Sequence, residues 1–128
     1  MNRAVLDASV VLAVLFEERG AEKMTDEIMD SAVISAVNLA EVQSKLVKMG
    51  HPPENAWSDA LLLETDPEPF TADQAKIAGS LIAKTAKYGL SLGDRSCLAL
   101  AIVLNAPVYT TEQAWKDLKV GVPIHVIR

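Results

Sequence analysis

Four acidic side chains are placed where their chemistry would matter if the fold brought them together: Asp7, Glu41, Asp94 and Glu112. They stand far apart in the sequence and account for most of the net charge of −5. Two such charges about 4 Å apart repel by about 4 kcal/mol at an effective dielectric constant of about 20. A cluster of carboxylates therefore raises its own pKa values or binds a hard cation such as Mg²⁺ or Mn²⁺. Cations held in this way activate a water for displacement at phosphorus.

Three of the four acids also have a purely structural interpretation. Asp94 lies three residues after Ser91, the spacing of a capping box at a helix start. Glu112 follows two threonines and fits the same role, while Glu41 lies off the apolar stripe of its helix and fits a solvent-facing position. Asp7 is different, because it stands between an apolar strand and an apolar helix. A carboxylate buried there needs a partner or a function.

The chain has 128 residues, of which 50% are hydrophobic, and this predicts a single domain spanning residues 1–128. The lone Cys97 excludes an internal disulfide framework and a cysteine-based zinc site. An acidic balance argues against nucleic-acid binding through a broad basic face. No apolar run is long enough to span a bilayer and no signal-peptide pattern is present, so we expect a cytoplasmic protein without membrane attachment.

Short apolar strands alternate with helices along the whole chain, which predicts a parallel sheet covered on both faces. The predicted strands are 4–6, 32–34, 108–110 and 122–127, with an edge segment at 67–70. The predicted helices are 10–16, 21–29, 36–49, 54–63, 73–88, 94–104 and 111–118. In such sheets function gathers at the carboxyl ends of the strands, and the four acids lie at or near those ends.

Four segments around the acids share a family likeness in order and spacing. They are VLDAS at 5–9, SAVNLAEV at 35–42, LSLGDRSCLALA at 90–101 and VYTTEQAW at 108–115. Together they resemble the PIN-domain nucleases, and within them the VapC-type toxins of prokaryotic toxin–antitoxin pairs. The fourth segment departs from the family pattern, since Glu112 stands where aspartate or asparagine is usual. The longer side chain would bind a second metal through water or weaken that site.

The resemblance implies a three-layer α/β/α fold with a parallel sheet of four or five strands. It also implies an endoribonuclease that depends on Mg²⁺ or Mn²⁺ and uses a metal-activated water. Asp7, Glu41, Asp94 and Glu112 would be the catalytic and metal-binding residues. Ser9, Asn38 and Thr110 would support them or contact the scissile phosphate. The position of Arg95 next to Asp94 predicts a further phosphate contact.

The resemblance further implies three partners: an RNA substrate, a cognate antitoxin protein and a second copy of the chain in a homodimer. An apolar groove for an amphipathic antitoxin segment would be lined by the first two helices. The candidate residues are Val11, Leu12, Leu15, Phe16, Ile28 and Met29. For most of them, packing on the sheet is the competing interpretation.

Two other functions fit parts of the pattern. A phosphoacceptor receiver domain has a similar length and acids at strand ends, but it needs paired acids after the first strand, and Asp7 stands alone. A catalytically silent PIN-fold binding module would keep the fold without turnover, and Glu112 is the feature in its favour. RNA binding without cleavage would distinguish the silent module from the nuclease.

Overall fold

The computed structural model describes residues 3–61 and 66–128. Within these residues, four short strands form one sheet in the order β2-β1-β3-β4, and every pairing is parallel. The strands are β1 Ala4–Leu6, β2 Ala32–Val33, β3 Val108–Thr110 and β4 Ile124–Val126. The predicted parallel sheet is therefore confirmed, with β1 in a central position.

Helices connect the strands and cover both faces of the sheet. They are α1 Ala8–Leu15, α2 Asp26–Asp30, α3 Ala36–Lys48, α4 Pro53–Ala60, α5 Ala72–Ser80, α6 Ile82–Thr85 and α7 Leu92–Leu104. Single 3₁₀ turns lie at Ala21–Lys23, Ala86–Tyr88 and Gln113–Trp115. Residues 62–65, which the sequence assigned in part to the end of a helix, lie outside the described residues.

Two apolar clusters, one on each side of the sheet, make the three-layer α/β/α architecture. Successive residues of a strand point to opposite faces, so Leu6 joins one cluster and Val5 the other. The first cluster packs the sheet against α1, α3 and α4. The second packs it against α7 and the buried ring of Trp115. Both clusters hold the carboxyl end of β1 between rigid layers.

The start and end of α7 are fixed by local chemistry. Ser91 Oγ accepts a hydrogen bond from the Asp94 amide at 3.1 Å, and Asp94 Oδ2 accepts one from the Ser91 amide at 2.9 Å. This reciprocal pair is a capping box, so the structural interpretation of Asp94 is confirmed. Asn105 ends the helix in the left-handed conformation, at φ 51°. The capping box also fixes the direction of the Asp94 side chain.

The helices predicted at 73–88 and 111–118 differ from the structure. The first is interrupted after Ser80, whose hydroxyl donates to the Lys76 carbonyl at 2.8 Å, and Thr85 donates in the same way to Leu81 at 2.9 Å. A hydroxyl that donates to the carbonyl four residues earlier in the chain often bends the helix. The second is only the 3₁₀ turn at Gln113–Trp115. The predicted helix at 21–29 is also split, because Thr25 is extended and caps α2.

The segment predicted as an edge at 67–70 pairs with the chain just after β2. Glu68 forms a single parallel bridge with Ser35, through hydrogen bonds to Ile34 and Ala36 of 2.8 and 2.9 Å. This contact covers the outer edge of the sheet where α3 begins. Among the described residues, no helix has both the length and the apolar character needed to cross a membrane.

Candidate functional site

Asp7 occupies the end of the central strand and is 3% exposed. Its Oδ2 accepts hydrogen bonds from the hydroxyls of Ser9 at 2.7 Å and Thr110 at 3.0 Å. Thr110 comes from the end of β3, the neighbouring strand, so the parallel pairing brings residues 103 positions apart into contact. The structure shows no protein donor to the other oxygen, Oδ1, in the residues that it describes.

Burial raises the pKa of Asp7 from its ordinary value of 3.8 to about 6. Loss of water around the charge is the main cause, and the negative charges of Asp94 and Glu41 add to it. The hydroxyls of Ser9 and Thr110 oppose the rise, because they bond to the charged form. No basic side chain is among the causes of this shift. Asp7 is therefore a buried carboxylate that, among the described residues, no basic side chain stabilises in its charged form.

Replacing Ser9 with Ala is expected to raise the pKa of Asp7 further. Ser9 makes the stronger of the two bonds that lower this pKa, so Thr110→Val should have a smaller effect in the same direction. The carboxyl carbon of Asp7, followed by NMR in EDTA across pH 4–8, reports the change directly. An unchanged or lower pKa in Ser9→Ala would show that the hydroxyl does not stabilise the charge.

Glu41 lies on α3, two turns beyond the end of β2, and is half-buried. Its pKa is raised, first by desolvation and then by the charge of Asp94, while a hydrogen bond from Asn38 opposes the rise. Asn38 Nδ2 donates both to Glu41 Oε1 at 2.7 Å and to the Gly93 carbonyl at 3.0 Å. Asn38 is fully buried, and its amide therefore joins α3 to the first turn of α7.

Asp7, Glu41 and Asp94 form one electrostatic cluster, because each of the first two carboxylates feels the charge of Asp94. The three belong to separate elements: the end of β1, the second turn of α3 and the first turn of α7. The solvent-facing interpretation of Glu41 is incomplete, since half of the residue is buried toward this cluster. The prediction that the fold would bring these acids together thus agrees with the structure. Their catalytic roles stay a prediction.

Glu112 is exposed and takes no part in the pKa shifts of the other acids. Its backbone amide donates to Thr110 Oγ1 at 3.1 Å, which holds the turn after β3. Its side chain lines a groove of about 340 Å³ together with Ser9, Leu12, Phe16, Glu18, Lys45, Met49, Thr111 and Arg128. Glu112 thus shares this groove with Ser9, which binds Asp7, and its role as a metal ligand stays a prediction.

Arg95 makes a different contact from the one that its position suggested. Its Nη1 donates to the carbonyl of Ala78 at 2.9 Å, which ties the first turn of α7 to α5. Its Nε is buried and has no partner among the described residues. The side chain is thus engaged with α5, and a contact with phosphate remains without structural support.

The acid cluster suits a divalent cation in its chemistry. Its donors are carboxylate oxygens, which Mg²⁺ and Mn²⁺ prefer, and Asp7 keeps one oxygen without a protein donor. In the described part of the chain, no three His, Cys, Asp or Glu side chains already lie close enough to share one ion. Asp7, Glu41 and Asp94 stay the predicted ligands of such an ion.

The sequence profile of the PIN domain matches residues 4–120, which is most of the chain. The match spans all three clustered acids and Glu112. It argues against the receiver-like alternative. No curated protein sequence matches the chain.

Solved structures with the same fold include complexes from several bacteria. The VapBC complex of Salmonella typhimurium bound to DNA aligns with a TM-score of 0.75 at 15% identity, covering 98% of each chain. VapBC2 of Rickettsia felis bound to a promoter DNA fragment gives 0.72 at 18% identity, again over 98% of each chain. A toxin–antitoxin complex from Klebsiella pneumoniae gives 0.71 at 19% identity, over 94% of this chain and 95% of that one. At these identities the likeness establishes a shared fold.

Proposed function

This chain belongs to the PIN-domain family, and from that premise we propose that it is a metal-dependent endoribonuclease, the toxin of a toxin–antitoxin pair. The observation that carries the proposal is the cluster of Asp7, Glu41 and Asp94 at the carboxyl end of the central strand. A buried carboxylate with a pKa of about 6 and two acidic neighbours is costly to keep charged unless a cation binds there. The family match agrees with this interpretation.

The three carboxylates would hold Mg²⁺ or Mn²⁺, which supplies Lewis-acid activation of a water and charge stabilisation at phosphorus. Ser9 and Thr110 bind one oxygen of Asp7, which fixes the carboxylate plane and leaves the other oxygen available. Asn38 likewise donates to one oxygen of Glu41, Oε1, and orients that carboxylate. We assign no covalent nucleophile to the chain, so hydrolysis by water is the reaction that the site would perform.

RNA would bind in the groove that Glu112 lines, next to Ser9, whose hydroxyl binds Asp7. The groove carries the cations of Lys45 and Arg128 and the apolar side chains of Leu12, Phe16 and Met49. Arg128 also pairs with Glu18, at 3.1 Å. With so few basic residues beside the site, binding should be modest in affinity and sensitive to salt.

A protein that covers this groove would inhibit the enzyme, and we propose that the cognate antitoxin binds there. The structural relatives include a toxin–antitoxin complex. Phe16 is 41% exposed, and Leu12 is partly exposed beside it, which leaves an apolar surface on α1. Val11 is fully buried against the sheet, so this member of the predicted groove is a core residue. Homodimerisation also remains a proposal.

The test is cleavage of end-labelled tRNA and total RNA by the purified, antitoxin-free protein in Mn²⁺, in Mg²⁺ and in excess EDTA. Discrete products that require metal and are absent with Asp94→Asn are the expected result. Products that persist with Asp94→Asn would indicate a contaminating nuclease. Binding of RNA and Mn²⁺ without any cleavage would contradict the proposal and favour the silent PIN-fold module.

A further inference from the structure

Gly93, in the first turn of α7, is a glycine whose backbone does not require one. Its φ lies outside the left-handed region. Gly79, the other glycine within an α-helix of the described residues, has open space where a side chain would be. Gly93 is different. A Cβ built on it would lie 2.5 Å from Cδ and 2.7 Å from Oε1 of Glu41, and would also overlap Oε2. The Glu41 carboxylate thus occupies the space that a side chain at position 93 would fill.

Asn38 holds the carboxylate in this space. Both hydrogens of its amide are used, one on Glu41 Oε1 and one on the Gly93 carbonyl. The two acceptors fix the orientation of the amide, because the opposite orientation would place its oxygen against two other oxygens. Asn38 is fully buried and therefore cannot shift toward solvent to relieve a clash.

We propose that Gly93 is a positioning residue of the acid cluster: its lack of a side chain lets the Glu41 carboxylate lie against the first turn of α7, beside Asp94. The inference rests on the proposed function for its consequence in metal binding, while the close packing of Gly93 and Glu41 stands without it. A methyl group at position 93 has to displace the Glu41 carboxylate or break its bond to Asn38. Either change moves the Glu41 carboxylate from its position against the first turn of α7.

The first experiment measures Mn²⁺ affinity from the rise in thermal midpoint with metal concentration, because only the folded state holds the site. We expect Gly93→Ala to bind Mn²⁺ at least roughly tenfold more weakly than the wild type, the range seen when groups that orient a metal ligand are lost. Gly79→Ala is the matched control, a glycine-to-alanine change in a helix with open space around it, and it should bind Mn²⁺ like the wild type.

The second experiment is a rescue with a shorter carboxylate. Glu41→Asp withdraws the acid by one methylene, so Gly93→Ala should weaken Mn²⁺ binding and RNA cleavage much less in the Glu41→Asp protein than in the wild type. A purely structural role for Gly93 predicts no such rescue. Equal fold-losses in the two backgrounds would overturn the proposal.

A double-mutant cycle of thermal midpoints, measured in EDTA, tests this inference independently of the proposed function. The change in thermal midpoint caused by Gly93→Ala should be less favourable with Glu41 present than in Glu41→Ala, by roughly 4 °C. The same effect in both backgrounds would contradict the close packing. A wild type that binds no Mn²⁺ and cleaves no RNA would contradict the proposed function, whereas the cycle would still decide whether Gly93 and Glu41 are coupled.

Discussion

Asp7→Asn is expected to abolish RNA cleavage while making the protein more stable at pH 8. The asparagine oxygen can accept the hydrogen bonds of Ser9 and Thr110, so the local structure is retained. The buried charge is lost, and with it the repulsion from Asp94 and Glu41. A shift of the pKa from 3.8 to about 6 corresponds to a gain of up to about 3 kcal/mol in the free energy of unfolding.

The direction of the pH dependence follows from the raised pKa. Between about pH 4 and pH 6 the unfolded chain releases the Asp7 proton before the folded chain does, so the wild type loses stability as pH rises through this window. Urea unfolding in EDTA at pH 4 and pH 8 measures the effect. The Asp7→Asn protein should match the wild type at pH 4 and exceed it at pH 8.

Asp117→Asn is the control for this experiment, because it makes the same change at an exposed position. It should alter neither cleavage nor the pH dependence. If Asp7→Asn were less stable than the wild type at pH 8, then Asp7 would be satisfied by interactions other than those in the structure, and the interpretation of the cluster would be wrong.

Asp94→Asn is the second variant with a large expected effect, a loss of cleavage of more than about 100-fold, which exceeds the usual effect of losing a group that only orients a ligand. The fold should survive, because an asparagine oxygen can still accept the Ser91 amide bond of the capping box. Asp94 also raises the pKa of Asp7, so this pKa should fall in the variant. Cleavage assays, thermal unfolding and NMR titration together check the three effects.

Ser91→Ala distinguishes the role of Asp94 in capping α7 from its proposed role in cleavage. It removes the hydroxyl that accepts the Asp94 amide bond and should cost about 1 kcal/mol of stability, but it leaves the Asp94 carboxylate in place. We therefore expect Ser91→Ala to lose stability and keep most of its cleavage, and Asp94→Asn to do the reverse. Equal destabilisation by both variants, with a matching loss of activity, would mean that Asp94 serves only as a helix cap.

The positions of Asp7 and Glu41 were predictable from the sequence because parallel sheets obey a simple rule. Carboxyl ends of neighbouring strands meet at one edge, so an acid after β1 and an acid on the helix that follows β2 come close. Asp94 lies in the first turn of α7, which follows a helical segment, so its position depends on how α7 packs on the sheet. The capping role of Asp94 was readable from its spacing to Ser91. The two interpretations of Asp94 are compatible, since a single carboxylate caps α7 and belongs to the cluster.

The direction of the Arg95 side chain and the space beside Gly93 could not be predicted from the sequence pattern. The direction of Arg95 depends on the packing of α5 against α7, which sends its guanidinium to the Ala78 carbonyl. The role of Gly93 depends on the absence of atoms, and a glycine in a helix carries no sign of what occupies the space beside it. The interruption after Ser80 likewise depends on which acceptor a hydroxyl selects. The direction of Arg95 and the role of Gly93 follow from tertiary contacts rather than from local pattern.

The sheet order also sets when the site comes into existence during synthesis. The central strand β1 leaves the ribosome first, but its Asp7 acquires the Thr110 hydroxyl only after β3 has been made, 103 residues later. Asp94 likewise arrives with α7, late in translation. A nascent chain that ends before these elements carries the first acid without the rest of the cluster. Under the proposed ribonuclease activity, the growing polypeptide is thus unable to cleave RNA near the ribosome until α7 and β3 have emerged.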